Sequence, residues 1–134
     1  MQGPERVQGE SLPVGGSLRV LVVDDDVLVR ETLREIIQIL GYEAEMAGDG
    51  PSALDIVEQQ PFDVVITDLG MPRMSGWQVA ERVKQLTPGT EVFILTGWGD
   101  SLETNQRAYQ VLTKPVEIKV LGEILARARA NRVA

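Results

Sequence analysis

Two apolar runs in this chain end on acid. Leu21-Val22-Val23 is followed by Asp24-Asp25-Asp26, and Val64-Val65-Ile66-Thr67 is followed by Asp68. Unbroken runs of branched apolar residues suit strands buried on both faces. In an open parallel sheet, ligands and chemistry gather at the carboxyl ends of such strands. Carboxylates brought together there repel one another unless a cation sits among them. The chain has no cysteine and no histidine, which excludes thiolate chemistry, a Ser-His pair and imidazole-held metals. Any metal must then be bound by oxygen, which favours magnesium or manganese. Asp24, Asp25 and Asp68 therefore read as a magnesium site beside a reactive aspartate.

Two further polar residues follow apolar runs. Thr96 ends Val92-Phe93-Ile94-Leu95, and Gly97 beside it lets a ligand approach the backbone. A threonine there is ordinarily structural, since it suits strands. Lys114 follows Val111-Leu112-Thr113 and precedes Pro115. Its ammonium could offset the carboxylates and bind a phosphoryl oxygen. A loop ammonium of this kind is expected to add little to folding. Asp26 has a simpler use, as an anion at the start of the first helix.

The elements that must carry these residues alternate. Strands are expected at about 19–24, 43–47, 63–67, 91–95 and 110–113, and helices at about 26–40, 51–59, 75–86, 101–108 and 116–130. Leu33, Ile36, Ile37 and Leu40 have helical spacing and stop at Gly41. Pro51 suits a first turn, and Ser75 an N-cap. Ile118, Leu121, Ile124, Leu125 and Ala128 form the stripe of the last helix. The fourth helix is expected to be short and poor in apolar residues. Five such units define an α/β, doubly wound five-stranded parallel sheet with helices on both faces. Residues 1–17, with Gly3, Pro4, Gly9, Pro13, Gly15 and Gly16, have the composition of a flexible leader or linker, leaving 18–134 as the domain.

At 134 residues the chain suits one domain. Its net charge of −7 argues against nucleic-acid binding. The sequence has no run of membrane-spanning length and no signal-peptide core, so a cytoplasmic protein is the simplest reading.

Val22-Val23-Asp24-Asp25, Ile66-Thr67-Asp68-Leu69-Gly70-Met71-Pro72-Arg73-Met74-Ser75-Gly76, Ile94-Leu95-Thr96-Gly97 and Leu112-Thr113-Lys114-Pro115 together resemble the receiver domain of two-component response regulators. The resemblance runs from about Leu18 to the C-terminus, with every motif in the family's order. It implies the flavodoxin-like strand order 2-1-3-4-5. It also implies that Asp68 is the phosphoacceptor, taking a phosphoryl group from a sensor histidine kinase or phosphotransfer protein. By the same resemblance Asp25 and Asp68 ligate Mg2+ directly, Asp24 acts through water, and the Gly70 carbonyl adds a ligand. Thr96 and Lys114 would hold phosphoryl oxygens. Such a protein is a signalling phosphoacceptor, not an enzyme, with only self-catalysed transfer and autodephosphorylation. The sequence shows no effector segment after the last helix, which points to a stand-alone receiver or one cut from a larger protein such as a hybrid kinase; its downstream partner is unknown.

The sequence departs from that family at the usual switch aromatic, three residues before the lysine, where Val111 stands; Tyr109 lies two residues earlier. The stretch between Thr96 and Lys114 is also about one helical turn short, and Trp98 is bulky. Phosphorylation is therefore expected to change the order of residues 98–109 and not to flip one aromatic ring. Two other readings compete. A phosphatase of the haloacid dehalogenase type would use Asp24 and Asp26, but it needs a further acidic pair on a later strand and leaves Asp68 unused. A receiver-like module that is never phosphorylated would have no need of the intact acid, threonine and lysine set.

Overall fold

The computed structural model describes residues 18–97 and 110–133. Its elements are β1 (Arg19–Val23), α1 (Val27–Ile39), β2 (Glu43–Ala47), α2 (Gly50–Gln59), β3 (Val64–Asp68), α3 (Gly76–Leu86), β4 (Glu91–Thr96), β5 (Gln110–Thr113) and α4 (Ile118–Val133). The five strands form one sheet in the order β2-β1-β3-β4-β5, every neighbouring pair parallel. This is the expected 2-1-3-4-5 arrangement. The leader at 1–17, the helix expected at 101–108, Trp98 and Tyr109 lie outside the described residues.

Strand alternation divides the core in two. Leu21, Val23, Val65, Val92 and Ile94 point to the side covered by Ala53, Leu54 and Val57 of α2 and Val79, Ala80 and Val83 of α3. Val20, Val22, Val64, Ile66, Phe93 and Leu95 point to the side covered by Leu33 and Ile37 of α1 and Leu121, Leu125 and Ala128 of α4. Both sheet faces are therefore removed from water, as the crossover connections of a parallel sheet require.

Helix ends follow the local chemistry. The Asp26 carboxylate caps α1, accepting from the Leu28 and Val29 N–H groups at 3.0 and 3.4 Å. Gly41, just past α1, has φ of 101°, a conformation that glycine adopts freely. Ser75 and Gln78 form a reciprocal capping box on α3. The last helix differs from expectation, starting at Ile118 and running to Val133. Near its end the Arg132 Nε lies 3.0 Å from the Asp63 carboxylate, and Asn131 donates to Glu91. These polar anchors extend the helix beyond the apolar stripe that marks it in the sequence.

Gly76 sets how closely α3 meets the end of β3. A Cβ there would stand 2.3 Å from the Asp68 carbonyl oxygen and 2.9 Å from the Leu69 Cα. Both obstacles are backbone and cannot rotate away. Gly122 in α4 is different, since its Cβ would only touch Leu40 at 3.6 Å. Gly76→Ala should destabilise the protein by about 1–3 kcal/mol through overpacking. Gly122→Ala should stabilise it by roughly 0.5–1 kcal/mol, through the lower chain entropy of alanine in a helix. Urea unfolding of both variants checks the opposite signs.

Candidate functional site

The same alternation that fills the core aims the charges. Asp24 lies two residues beyond Val22, Asp68 two beyond Ile66, and Lys114 two beyond Leu112, and all three apolar residues belong to the α1/α4 side. Period-two alternation thus brings two acids and one base to the same side of the carboxyl edge. The Lys114 Nζ lies 2.7 Å from Asp68 Oδ1 and 3.1 Å from Asp24 Oδ2. Asp25 joins them, and carboxylate oxygens of Asp24, Asp25 and Asp68 lie within 4.8 Å of one another. Asp24 is 0% exposed, Asp68 is buried, and Asp25 faces solvent.

Asp24 is anchored through its main chain and one carboxylate oxygen. Its N–H donates to the Ala47 carbonyl at 3.1 Å, and its own carbonyl accepts from Arg30 Nη1 at 3.0 Å. Oδ1 accepts from the Asp26 N–H at 2.9 Å. Oδ2 is fully buried and has only the ion pair to Lys114, with no partner in good hydrogen-bonding geometry. An under-satisfied buried carboxylate oxygen, next to a second acid and a solvent-facing third, suits a hard cation bound by oxygen. The acidic cluster thus fits a divalent metal.

Burial pushes the Asp68 carboxyl above its ordinary value; the hydrogen bond from Lys114 opposes this, and the Asp24 charge reinforces it. Burial alone would lower Lys114, but its close contacts with the Asp68 and then the Asp24 carboxylate reverse the direction and hold the ammonium above its ordinary value. The pair does not cancel out, because one ammonium serves two buried acids. Ionised Asp68 is therefore a net cost to the fold at neutral pH, relieved as pH falls through its raised value.

Thr96 is buried at the end of β4, and its carbonyl accepts from the Lys114 N–H at 2.8 Å. Alternation places it with Val92 and Ile94, on the α2/α3 side, so it borders the cluster from the opposite side to the lysine. Gly70 is exposed in the loop after Asp68. Asp26, the second acid of the phosphatase pattern, is turned to the α1 N-terminus instead. Val111 sits in β5 opposite Ile94. Two features were missed in the sequence. Arg30 reaches back to the Asp24 carbonyl. Across the rim, Arg73, with φ of 71°, pairs with the α2 cap Asp49 at 3.0 Å.

A doubly wound sheet of order 2-1-3-4-5, with acids from β1 and β3 facing a lysine after β5, defines the receiver class of protein. Residues 20–126 match the family described as response regulator receiver domain. The chain is 36% identical over 118 residues to the response regulator MprA of Mycobacterium bovis (strain BCG / Pasteur 1173P2), a match covering 85% of this chain and 50% of that protein. It is 37% identical over 117 residues to the MprA of Mycobacterium sp. (strain KMS), covering 84% of this chain and 50% of that one. The chain therefore spans about half the length of these curated relatives. Among solved structures, a response regulator receiver domain protein from Clostridium thermocellum superposes with a TM-score of 0.79 at 31% identity, covering 86% of this chain and 96% of that one. The chemotaxis protein CheY4 of Vibrio cholerae gives 0.76 at 31% identity, covering 84% and 99%. The chain belongs to the response regulator receiver domain family.

Lys114, expected to offset the carboxylates but to add little to folding, pairs with both buried acids and has a side chain only 28% exposed. Lys114→Ala should lower stability by about 1–3 kcal/mol in metal-free buffer, because Asp24 Oδ2 loses its partner. The raised lysine makes this contribution complete below the ordinary value of 10.5 and lost as pH climbs through the higher folded value. The gap between wild type and variant should be flat through neutrality and close in alkali, as measured by urea unfolding across pH.

Proposed function

We propose that the chain is a phosphoacceptor in two-component signalling. In this reading Asp68 takes a phosphoryl group from a phosphohistidine on a sensor histidine kinase or phosphotransfer protein. The observation that carries it is the single ammonium of Lys114 shared between buried Asp24 and Asp68. That arrangement places a cation beside a buried carboxylate, where it can be handed over to the incoming phosphoryl group. Burial raises the basicity of the Asp68 carboxylate, and the Lys114 hydrogen bond opposes this. One of its oxygens bonds to phosphorus as the phosphorus–nitrogen bond to the donor imidazole breaks. The bonding pair leaves with that nitrogen, which is protonated from solvent. Hydrolysis of the acyl phosphate by water returns the carboxylate and inorganic phosphate. The chain acts on no separate substrate, so it is a signalling protein and not an enzyme.

Phosphoryl transfer needs positioning and charge neutralisation more than covalent machinery. Asp25, Asp68 and the Gly70 carbonyl would hold Mg2+ directly and Asp24 through water; the ion supplies neutralisation of the phosphoryl charge. Lys114 moves its ammonium from the carboxylates to a phosphoryl oxygen, and the Thr96 hydroxyl takes another. Beside Lys114, an apolar groove of about 450 Å³ runs between α1 and the loop after β5, lined by Leu28, Val29, Thr32, Ile36, Pro115 and Val116. Leu28 is 73% exposed. An open apolar wall leading to the acceptor suits docking of a macromolecular phosphodonor. Such a donor, carrying its phosphohistidine inside the cell, makes the location cytoplasmic.

Intact-mass measurement with acetyl phosphate tests the reading. Wild type should gain one phosphate when Mg2+ is present and none in a chelator, and Asp68→Asn should gain none in either. Equal labelling of Asp68→Asn would overturn the assignment.

A further inference from the structure

Arg30 has no assigned part in the site, yet its side chain reaches back from α1 to the acidic turn. Its Nη1 donates to the Asp24 main-chain carbonyl at 3.0 Å. The guanidinium then lies against Gly48, the residue after Ala47, whose carbonyl accepts from the Asp24 N–H. A Cβ at Gly48 would stand 3.3 Å from Arg30 Nη1, 3.5 Å from its Cζ and 3.7 Å from its Nη2. Two independent features therefore converge: a charge-assisted bond to the backbone of the acidic turn, and a residue without a side chain where the guanidinium is seated.

We propose that Arg30 is a positioning residue for the divalent cation, fixing the peptide between Asp24 and Asp25 and so the direction from which Asp25 meets the ion; this rests on the metal reading above. The Asp24 side chain has anchors of its own in Asp26 and Lys114. Asp25, exposed and next in the chain, depends on the main chain before it. Groups that orient metal ligands without touching the metal often govern affinity by about tenfold or more. The proposal also has a sign. A second cation near the site repels a divalent ion, so simple electrostatics would have Mg2+ bind more tightly once Arg30 is removed. Positioning has it bind more weakly.

Calorimetric titration of the unphosphorylated chain with Mg2+ separates these. Arg30→Ala should weaken binding roughly tenfold. Gly48→Val, which keeps the charge but displaces the guanidinium, should weaken it too. Arg30→Lys, which keeps a donor, should recover much of the loss. Arg19→Ala removes an ion pair to Glu43 at the opposite end of the sheet, and should lower stability in urea without changing Mg2+ affinity. Unchanged or tighter binding in Arg30→Ala, or in Gly48→Val where Arg30→Ala does not fold, overturns the proposal. If wild type binds no Mg2+, or Asp25→Ala binds as wild type does, the metal reading itself fails and the proposal falls with it.

Discussion

Everything at the carboxyl edge of the sheet is arranged around one electrostatic constraint. Asp24 and Asp68 are buried within reach of each other, Asp25 stands next to them, and a single ammonium, Lys114, serves both buried acids. In a low-dielectric setting such a cluster is tolerable only with cations placed among the oxygens. The register of three strands meets that requirement, because Val22, Ile66 and Leu112 share one core and each lies two residues before a charged group. A one-residue slip in any of them would turn its charge to the other face. The apolar core and the polar site are thus fixed by the same alternation.

The rest of the structure supplies rigidity to that edge. Gly76 brings α3 against the Asp68 carbonyl, Gly41 lets α1 turn into β2, and the capping of α1 by Asp26 removes a fourth acid from the cluster. Opposite the site, Asp63 accepts from the Arg19 N–H at 2.8 Å and pairs with Arg132, tying β1 to the end of α4. The site holds under-compensated charge while the far end is densely paired. This is the usual distribution when a functional centre is kept less stable than its scaffold.

Much of this was legible in the residues. Branched runs ending on acid located β1 and β3, and Asp26 and Ser75 read correctly as helix starts because caps are local chemistry. The acids, threonine and lysine were recognisable as residues at strand ends. What could not be read was their relation across the sheet. A strand buried on both faces is apolar at every position, so the sequence does not reveal which core each residue joins, or that Thr96 faces away from the side of Lys114. That Lys114 offsets the carboxylates was legible, whereas the two acids that share it follow only from strand pairing across the sheet. Arg30 did leave a signal, standing three residues before Leu33 and seven before Ile37 on the buried stripe of α1. A cation on an apolar helix face needs a partner, and here it is a backbone carbonyl invisible in the sequence. The last helix starts two residues later and ends three residues later than its expected 116–130, because polar anchors carry no apolar period.

If Asp24, Asp25 and Asp68 form one cation site with Asp26 outside it, a bound ion must perturb the three together. Titrating the unphosphorylated protein with Mg2+ while following the carboxyl carbon resonances of its aspartates by NMR tests this directly. Asp24, Asp25 and Asp68 should shift together along one binding curve, with Asp26 little changed. Unrelated curves for the three, or a dominant shift at Asp26, would contradict it.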